Sequence, residues 1–343
     1  MNTTLFSETE IQAEVARLEA TGLALASPEA DLRAVAQLTL RINRLKAAKN
    51  AVIAGHVYQR AEILAGVSDF TGDSYRLAKL CAASQAGTIV FCGVKFMAET
   101  AKILSPDKTV LLPAPEAGCT LADSITAGDV RGLRARHPGL PVITYINTAV
   151  EVKAESDCIV TSANAETILR HYFRQHKRVI FLPDAFMGAN LAAALGKKPG
   201  EDIILWRGSC SVHEHFSAAA LRQLRGQNEG VRILVHSECP PEILREADFS
   251  GGTSGMMEYI ERNPAPSYML VTECGLGELA KMKFPDKNFI AMCRLCPYMK
   301  LTDLRRILAA LETAGPELEI PPPPEETARK ARRALEMMFK LAG

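Results

Sequence analysis

Three cysteines set the chemical question, because Cys119 in "EAGCTL", Cys210 in "RGSCSV" and Cys296 in "CRLCPY" each close a short loop and recur about 90 residues apart. Other rows repeat with the same period. "AGHVYQ", "ITYINT" and "ILVHSE" bring His56, Tyr145 and His236 into register, and "FTGDSY", "IVTSAN" and "SGGTSG" align Ser74, Ser162 and Thr253. A further row joins "KFMAETAK", "AFMGANLA" and "GLGELAKM". Each repeat thus offers one thiol, one polar group at a strand end, and one hydroxyl where a helix begins. Helix N-termini present free N–H groups to anions, so the combination suits a ligand carrying carboxylates or phosphate. Three convergent thiols without a matched fourth ligand fit a 4Fe-4S cluster with one open iron better than a closed structural zinc site. An open iron is a Lewis acid suited to dehydration and condensation.

The elements that must position these groups alternate along the chain. Apolar, β-branched runs such as "NAVIAG", "GTIVFCG", "PVITYI", "RVIFL", "VRILVH" and "YMLVT" are separated by helical stretches, the rhythm of parallel α/β units. The expected fold is α/β: three similar α/β/α units with parallel sheets around a pseudo-threefold axis, and the site at the centre outside the strand carboxyl ends. The expected units are residues 1–118, with N-terminal helices and completed by 293–343, then 119–207, then 208–292. Amphipathic helices, "DLRAVAQLTLRINRLKAAKN" and "EETARKARRALEMMFKLAG", frame the repeats, the second after the stiff spacer "IPPPP".

Composition excludes several classes of function. With 343 residues, 48% of them hydrophobic, the chain can bury a large core, and 40 basic against 39 acidic residues give no field favouring nucleic acid or an anionic membrane. No apolar run approaches the roughly 20 residues needed to cross a bilayer, and "MNTTLFSETEIQAEVARLEA" lacks the pattern of a secretory signal. A cytoplasmic protein is expected. Nine cysteines over so long a chain do not make a disulfide scaffold. Cys81, Cys92 and Cys158 read as buried apolar thiols, while Cys239 and Cys274 stand near strand ends. His213 and His215 in "CSVHEHF" face different directions, His213 suiting a supporting role behind a metal site. His137, His171 and His176 read as surface residues, and Lys153, Glu155 and Asp157 as structural polar contacts. "VTECGLGELA" carries a G-x-G-x-x-A run after a strand, the weak signature of a dinucleotide-binding oxidoreductase. A non-catalytic iron–sulfur sensor is the other competing class.

The ordered blocks "GHVYQRAEI", "GDSYRLA", "FCGVKFMAETAKILSPDKTVLLP", "AGCTLADS", "YINTAVEVKAESDCIVTSANA", "FLPDAFMGANLA", "GSCSVHEHFS", "HSECPPEI", "GGTSGM" and "CPYMK" run over nearly the whole chain. In them it resembles the quinolinate synthase family, the A protein of bacterial de novo NAD synthesis. The resemblance implies a transferase that condenses iminoaspartate with dihydroxyacetone phosphate to quinolinate, losing phosphate and two waters, with an oxygen-sensitive 4Fe-4S cluster. It places the cluster ligands on Cys119, Cys210 and Cys296, the trio found by the internal repeat. It puts His56, Tyr58, Ser74, Tyr145, Asn147, Ser162, His236, Glu238 and Thr253 near substrate, with Asp73 organising its loop. Tyr58 and Glu238 are the acid and base candidates, and Tyr145 stands with them as catalytic. A transient contact with the aspartate-oxidising enzyme is a further expectation. Val57 departs from the family pattern where a second tyrosine often follows the histidine, and Gly252 where a serine is frequent. The C-x-x-C of Cys293 and Cys296 resembles a redox pair, whose disulfide would withdraw a cluster ligand.

Overall fold

Among the described residues, thirteen strands form three parallel sheets with one repeated order. In this computed structural model residues 6–342 are described; Met1–Leu5, part of the segment read above for targeting, and Gly343 lie outside the described residues. The first sheet holds β1 (Ala51–His56), β2 (Phe70–Gly72), β3 (Thr88–Cys92) and β4 (Thr109–Leu111) in the order β2-β1-β3-β4. The second holds β5 (Val142–Tyr145), β6 (Cys158–Val160), β7 (Val179–Leu182) and β8 (Ile203–Leu205) in the order β6-β5-β7-β8. The third holds β9 (Arg232–His236), β10 (Phe249–Gly251), β11 (Tyr268–Glu273) and β12 (Phe289–Ile290) in the order β10-β9-β11-β12, and a short β13 (Cys293–Arg294) pairs with β11 beyond β12. The expected α/β architecture of three similar units is therefore present.

The strands are apolar on both faces because helices cover both sides, and every residue of β5, β7 and β11 is buried. The core reflects this layering. One cluster runs through all three units, joining Ala54, Ile143 and Leu270. Three satellite clusters back the outer face of one sheet each, around Ile53 and Val90, Val142 and Ile180, and Ile233 and Val271. Helices start where side chains take up their free N–H groups. Asp73 accepts from the Arg76 N–H at 2.9 Å and Asp184 from the Met187 N–H at 2.7 Å.

A further repeat, of acids rather than thiols, histidines or hydroxyls, fastens each first strand to its neighbour. Asp69, Asp157 and Asp248 accept from the backbone N–H groups of Ile53, Val142 and Ile233 at 2.8, 2.7 and 2.8 Å. Each pairs with a cation, Lys46, Arg134 and Arg225, at 2.8, 2.9 and 3.0 Å. Asp157 is thus structural, as expected.

Of the C-terminal segment 293–343, expected to complete the first unit, the described residues 293–342 are shared among all three. β13 belongs beside β11. The helix Leu304–Thr313 lays Ile307, Leu308 and Leu311 on the first unit, and Leu318 and Ile320 bond to Leu112 and Val110 at the edge of the first sheet. The helix Glu325–Ala342 instead packs over β6 and the helix Val150–Ala154 of the second unit, burying Ala331, Ala334, Leu335 and Met338. Its apolar stripe at i, i+3, i+4 and i+7 needs a groove, and "IPPPP" carries the chain from one unit to the next. Among the described residues, no helix is long and apolar enough to cross a membrane.

Candidate active site

The carboxyl ends of β1, β5 and β9 open on one cavity, and every residue singled out from the sequence lines it: His56, Tyr58, Ser74, Tyr145, Asn147, Ser162, His236, Glu238, Thr253, Cys119, Cys210 and Cys296. The repeat gives the strand ends one design. His56 and His236 each accept a backbone N–H through Nδ1, from Tyr58 at 3.2 Å and Glu238 at 3.4 Å. At His56 the bond fixes the tautomer, leaving the proton of the neutral ring on Nε2. Burial pushes His56 down to about 4, with Asp73 opposing. Burial also pushes the Tyr58 and Tyr145 hydroxyls well above their ordinary range, and Glu238 adds to both shifts.

Glu238 is the electrostatic centre. Its carboxylate is 3% exposed, 3.0 Å from His213 Nδ1 and 3.1 Å from His236 Nδ1, and accepts from Asn147 Nδ2 at 3.4 Å. Burial alone would raise this carboxyl, but the two imidazoles, stacked with centroids 4.5 Å apart, hold it well below the usual carboxylate range. His213 is buried as expected, while His215 points out and is 59% exposed.

The thiols share one local geometry. Cys119, Cys210 and Cys296 each precede a 3₁₀ turn, at Ala122–Ser124, His213–His215 and Met299–Leu301. The backbone N–H groups of the second and third residues after each sulfur act to lower its thiol: Leu121 and Ala122, Val212 and His213, Tyr298 and Met299. Each cysteine carbonyl accepts from the fourth residue on, Asp123, Glu214 or Lys300. Two amides aimed at a sulfur favour thiolate, yet burial raises all three thiols, Cys119 to about 12. A positively charged group between them would remove that conflict. Thr120 donates to Ser211 at 3.1 Å, so the first two cysteine loops touch. The donor set therefore fits three corners of an iron–sulfur cluster.

Thr272, Glu273 and Lys300 are supports that the sequence reading did not single out. Thr272 Oγ1 joins the Tyr58 hydroxyl at 2.8 Å to His213 Nε2 at 2.9 Å. Glu273 accepts the N–H of Cys296 at 3.1 Å and of Gly275 at 2.6 Å, and Lys300 reaches both Glu273, at 3.3 Å, and the Tyr58 carbonyl, at 2.8 Å. The available signals were the strand-end acid of "LVTEC" and the lysine of "CPYMK".

The G-x-G-x-x-A run has another use. The helix Cys274–Lys283 already has its N-terminus occupied by Glu273, and a Cβ on Gly275 would stand 2.8 Å from the Tyr58 carbonyl carbon. The glycine permits close backbone approach, not phosphate binding. Gly252 serves similarly, since a Cβ there would lie 2.4 Å from Ser162 Oγ. Asp73 links units by accepting from Ser254 Oγ at 2.6 Å.

The expected Cys293–Cys296 disulfide is corrected. Cys293 bonds Cys274, with Cα atoms 4.9 Å apart, and Cys296 is free. The cause is register: β13 runs beside the end of β11, pairing Thr272 with Cys293, which brings Cys293 next to Cys274 and leaves Cys296 to face the cavity. Cys81, Cys92 and Cys158 are buried, unpaired and pushed up by burial. Cys239 is also buried and unpaired.

Residues 40–340 match the family model described as Quinolinate synthetase A protein. The chain belongs to the quinolinate synthase family. It is 48% identical over 295 residues to "Quinolinate synthase 2" of Mesorhizobium japonicum, covering 86% of this chain and 88% of that protein. It is 45% identical over 300 residues to "Quinolinate synthase" of Agrobacterium fabrum, covering 88% and 84%. A quinolinate synthase of Xylella fastidiosa, strain Temecula1, is 44% identical over 300 residues, covering 88% and 86%. The cavity is thus the candidate active site of a quinolinate synthase family member.

Proposed function

We propose that this chain condenses iminoaspartate with dihydroxyacetone phosphate to quinolinate, releasing phosphate and two waters, as a transferase with a 4Fe-4S cluster held by Cys119, Cys210 and Cys296. The observation that carries this reading is the threefold recurrence of thiol, amide pair and 3₁₀ turn around one cavity, in a chain of this family. When bound, such a cluster supplies an open iron able to polarise a hydroxyl or carbonyl. The overall reaction is redox-neutral, so no electron carrier is required.

The chain's own groups divide the remaining work. The helix Thr253–Arg262 begins at the cavity with no side-chain cap, and buried Thr253 Oγ1 has no hydrogen-bond partner. That end, with Ser74 and Ser162, binds the phosphate or carboxylates. Neutral His56 donates from Nε2. Glu238, held ionised, accepts the proton lost from carbon during tautomerisation and ring closure, while protonated Tyr58 and Tyr145 donate to developing oxyanions. Asn147 orients Glu238 by its bond to Oε1.

Anaerobic purification with iron and sulfide quantified, followed by assay of wild type and the Cys119→Ala, Cys210→Ala and Cys296→Ala variants, tests the reading. Expected are about four irons per chain in wild type, quinolinate formation, and loss of both in each variant. A colourless, iron-free preparation that still makes the pyridine ring overturns it.

A further inference from the structure

The cavity contains a second ligand set that shares one cysteine with the cluster site. One ligand atom from each of Cys210, His213 and Glu238 lies within 4.8 Å of the others, and these are the residues that close to this degree among those described. Ligands of one tetrahedral zinc stand about 3.4–3.6 Å apart, from metal distances of about 2.0–2.3 Å. Only small side-chain movements separate the observed arrangement from that one, and His213 Nδ1 and Glu238 Oε2 are already 3.0 Å apart.

His213 is prepared for this role. Its Nδ1 is buried and, despite the nearness of Glu238, has no aligned hydrogen-bond partner. Its Nε2 lies 2.9 Å from Thr272 Oγ1, which in turn reaches the Tyr58 hydroxyl. When an ion binds, the ring proton takes Nε2 and is donated to Thr272, which frees the Nδ1 lone pair that faces Cys210 and Glu238. A ligating imidazole commonly gives its other N–H to an acceptor in this way. One thiolate, one carboxylate and a neutral imidazole offset a divalent charge, and the His213 N–H, donating to the Cys210 carbonyl at 3.0 Å, ties two of the ligands together in one tight turn.

The geometry points to a mononuclear site for a thiophilic divalent cation such as Zn²⁺ at Cys210, His213 and Glu238, filled when the chain lacks its cluster. Binding replaces the Cys210 thiol proton with the metal. The fourth position faces the cavity. Because Cys210 serves both sites, the ion and the cluster exclude each other; that exclusion, unlike the ion site itself, rests on the cluster reading above.

Cobalt(II) added anaerobically to reduced, cluster-free protein tests the site. The expected result is one cobalt per chain with thiolate-to-cobalt absorption and the strong visible bands of a tetrahedral centre. Cys210→Ser should abolish the signal and His213→Ala should weaken binding at least tenfold, whereas Cys119→Ala and Cys296→Ala should leave the affinity within about threefold. Unchanged affinity in His213→Ala, or loss in Cys119→Ala or Cys296→Ala, overturns the proposal. X-ray absorption on zinc-loaded wild type gives an answer independent of whether variants fold: one sulfur neighbour with nitrogen and oxygen supports the site, and two or three sulfurs refute it. Zinc-loaded protein should take up iron and sulfide only after chelation, and simultaneous retention of both metals refutes the exclusion. If untreated protein builds no cluster, the cofactor reading fails, while the cobalt and X-ray results still decide the ion site.

Discussion

Lys153 provides a quantitative test of how dry the wall behind the active site is. Its side chain is 0% exposed, donates to the Thr148 carbonyl, and places Nζ 5.4 Å from the Phe96 ring centre. Burial pushes the ammonium down from 10.5 to about 8, with Glu99 opposing. At about 1.4 kcal/mol per pH unit, that fall withholds about 3 kcal/mol of stability at neutral pH. The folded-state value is depressed, so between pH 8 and 10.5 the unfolded chain holds more protons than the folded one. Lys153 therefore makes wild type gain stability as pH rises through that window.

Lys153→Met lacks this term but leaves the Thr148 carbonyl without its donor, at a cost of about 1–3 kcal/mol. The two effects nearly cancel at pH 7, whereas their pH dependences differ. Urea unfolding of both proteins, cluster-free and under one reducing condition, should show the variant losing about 3 kcal/mol relative to wild type between pH 8 and 10.5. Other thiols, tyrosines and lysines titrate in both proteins and drop out of the difference. Glu99, itself raised by burial, responds on the acid side of the window. A difference that stays constant with pH would refute the reasoning, because the ammonium would then be hydrated or fully paired.

Glu238→Gln should retain the iron and sulfide content of wild type and lose at least about 10²-fold in turnover, measured as quinolinate formed; near-normal turnover removes Glu238 from proton transfer. Gly275→Ala brings a Cβ against the Tyr58 backbone at 2.8 Å, so thermal unfolding should show a loss of about 1–3 kcal/mol and kcat/KM should fall with it. Peptide mapping without reductant should recover Cys274 joined to Cys293, and Cys274→Ser should cost about 3 kcal/mol for a loop closed over 19 residues. Recovery of a Cys293–Cys296 peptide instead would contradict the register of β13.

Much of this arrangement was legible because duplication leaves a trace at single positions. The thiols, the strand-end histidines and the helix-start hydroxyls must recur when three units face one cavity, so their types persist at a fixed spacing. Asp69, Asp157 and Asp248 recur equally well, but acids on polar loops carry little signal until a structure shows what they fasten. Glu273 recurs as Asp184, the buried acid that caps the corresponding helix of the second unit, but a strand-end acid carries no more signal than those on the loops; Lys300 does not recur, since Asp123 and Glu214 stand four residues after the other two cysteines, and the repeat cannot reveal it. The Cys274–Cys293 pairing depends on a two-residue strand joining the edge of β11, which is too short to have a period. The C-terminal helix announced its stripe, but not which of three similar grooves would receive it.

The wiring around Glu273 has a consequence for biogenesis. Cys296 is made well after Cys119 and Cys210, and its loop is anchored by an acid at the end of β11 and a lysine that grips the backbone of the first unit. A nascent polypeptide therefore cannot present a finished cradle while its early portions emerge from the ribosome, however well they fold. On the cluster reading proposed above, loading would have to wait until the stretch from Cys293 to Lys300 has been made and has docked on the first unit.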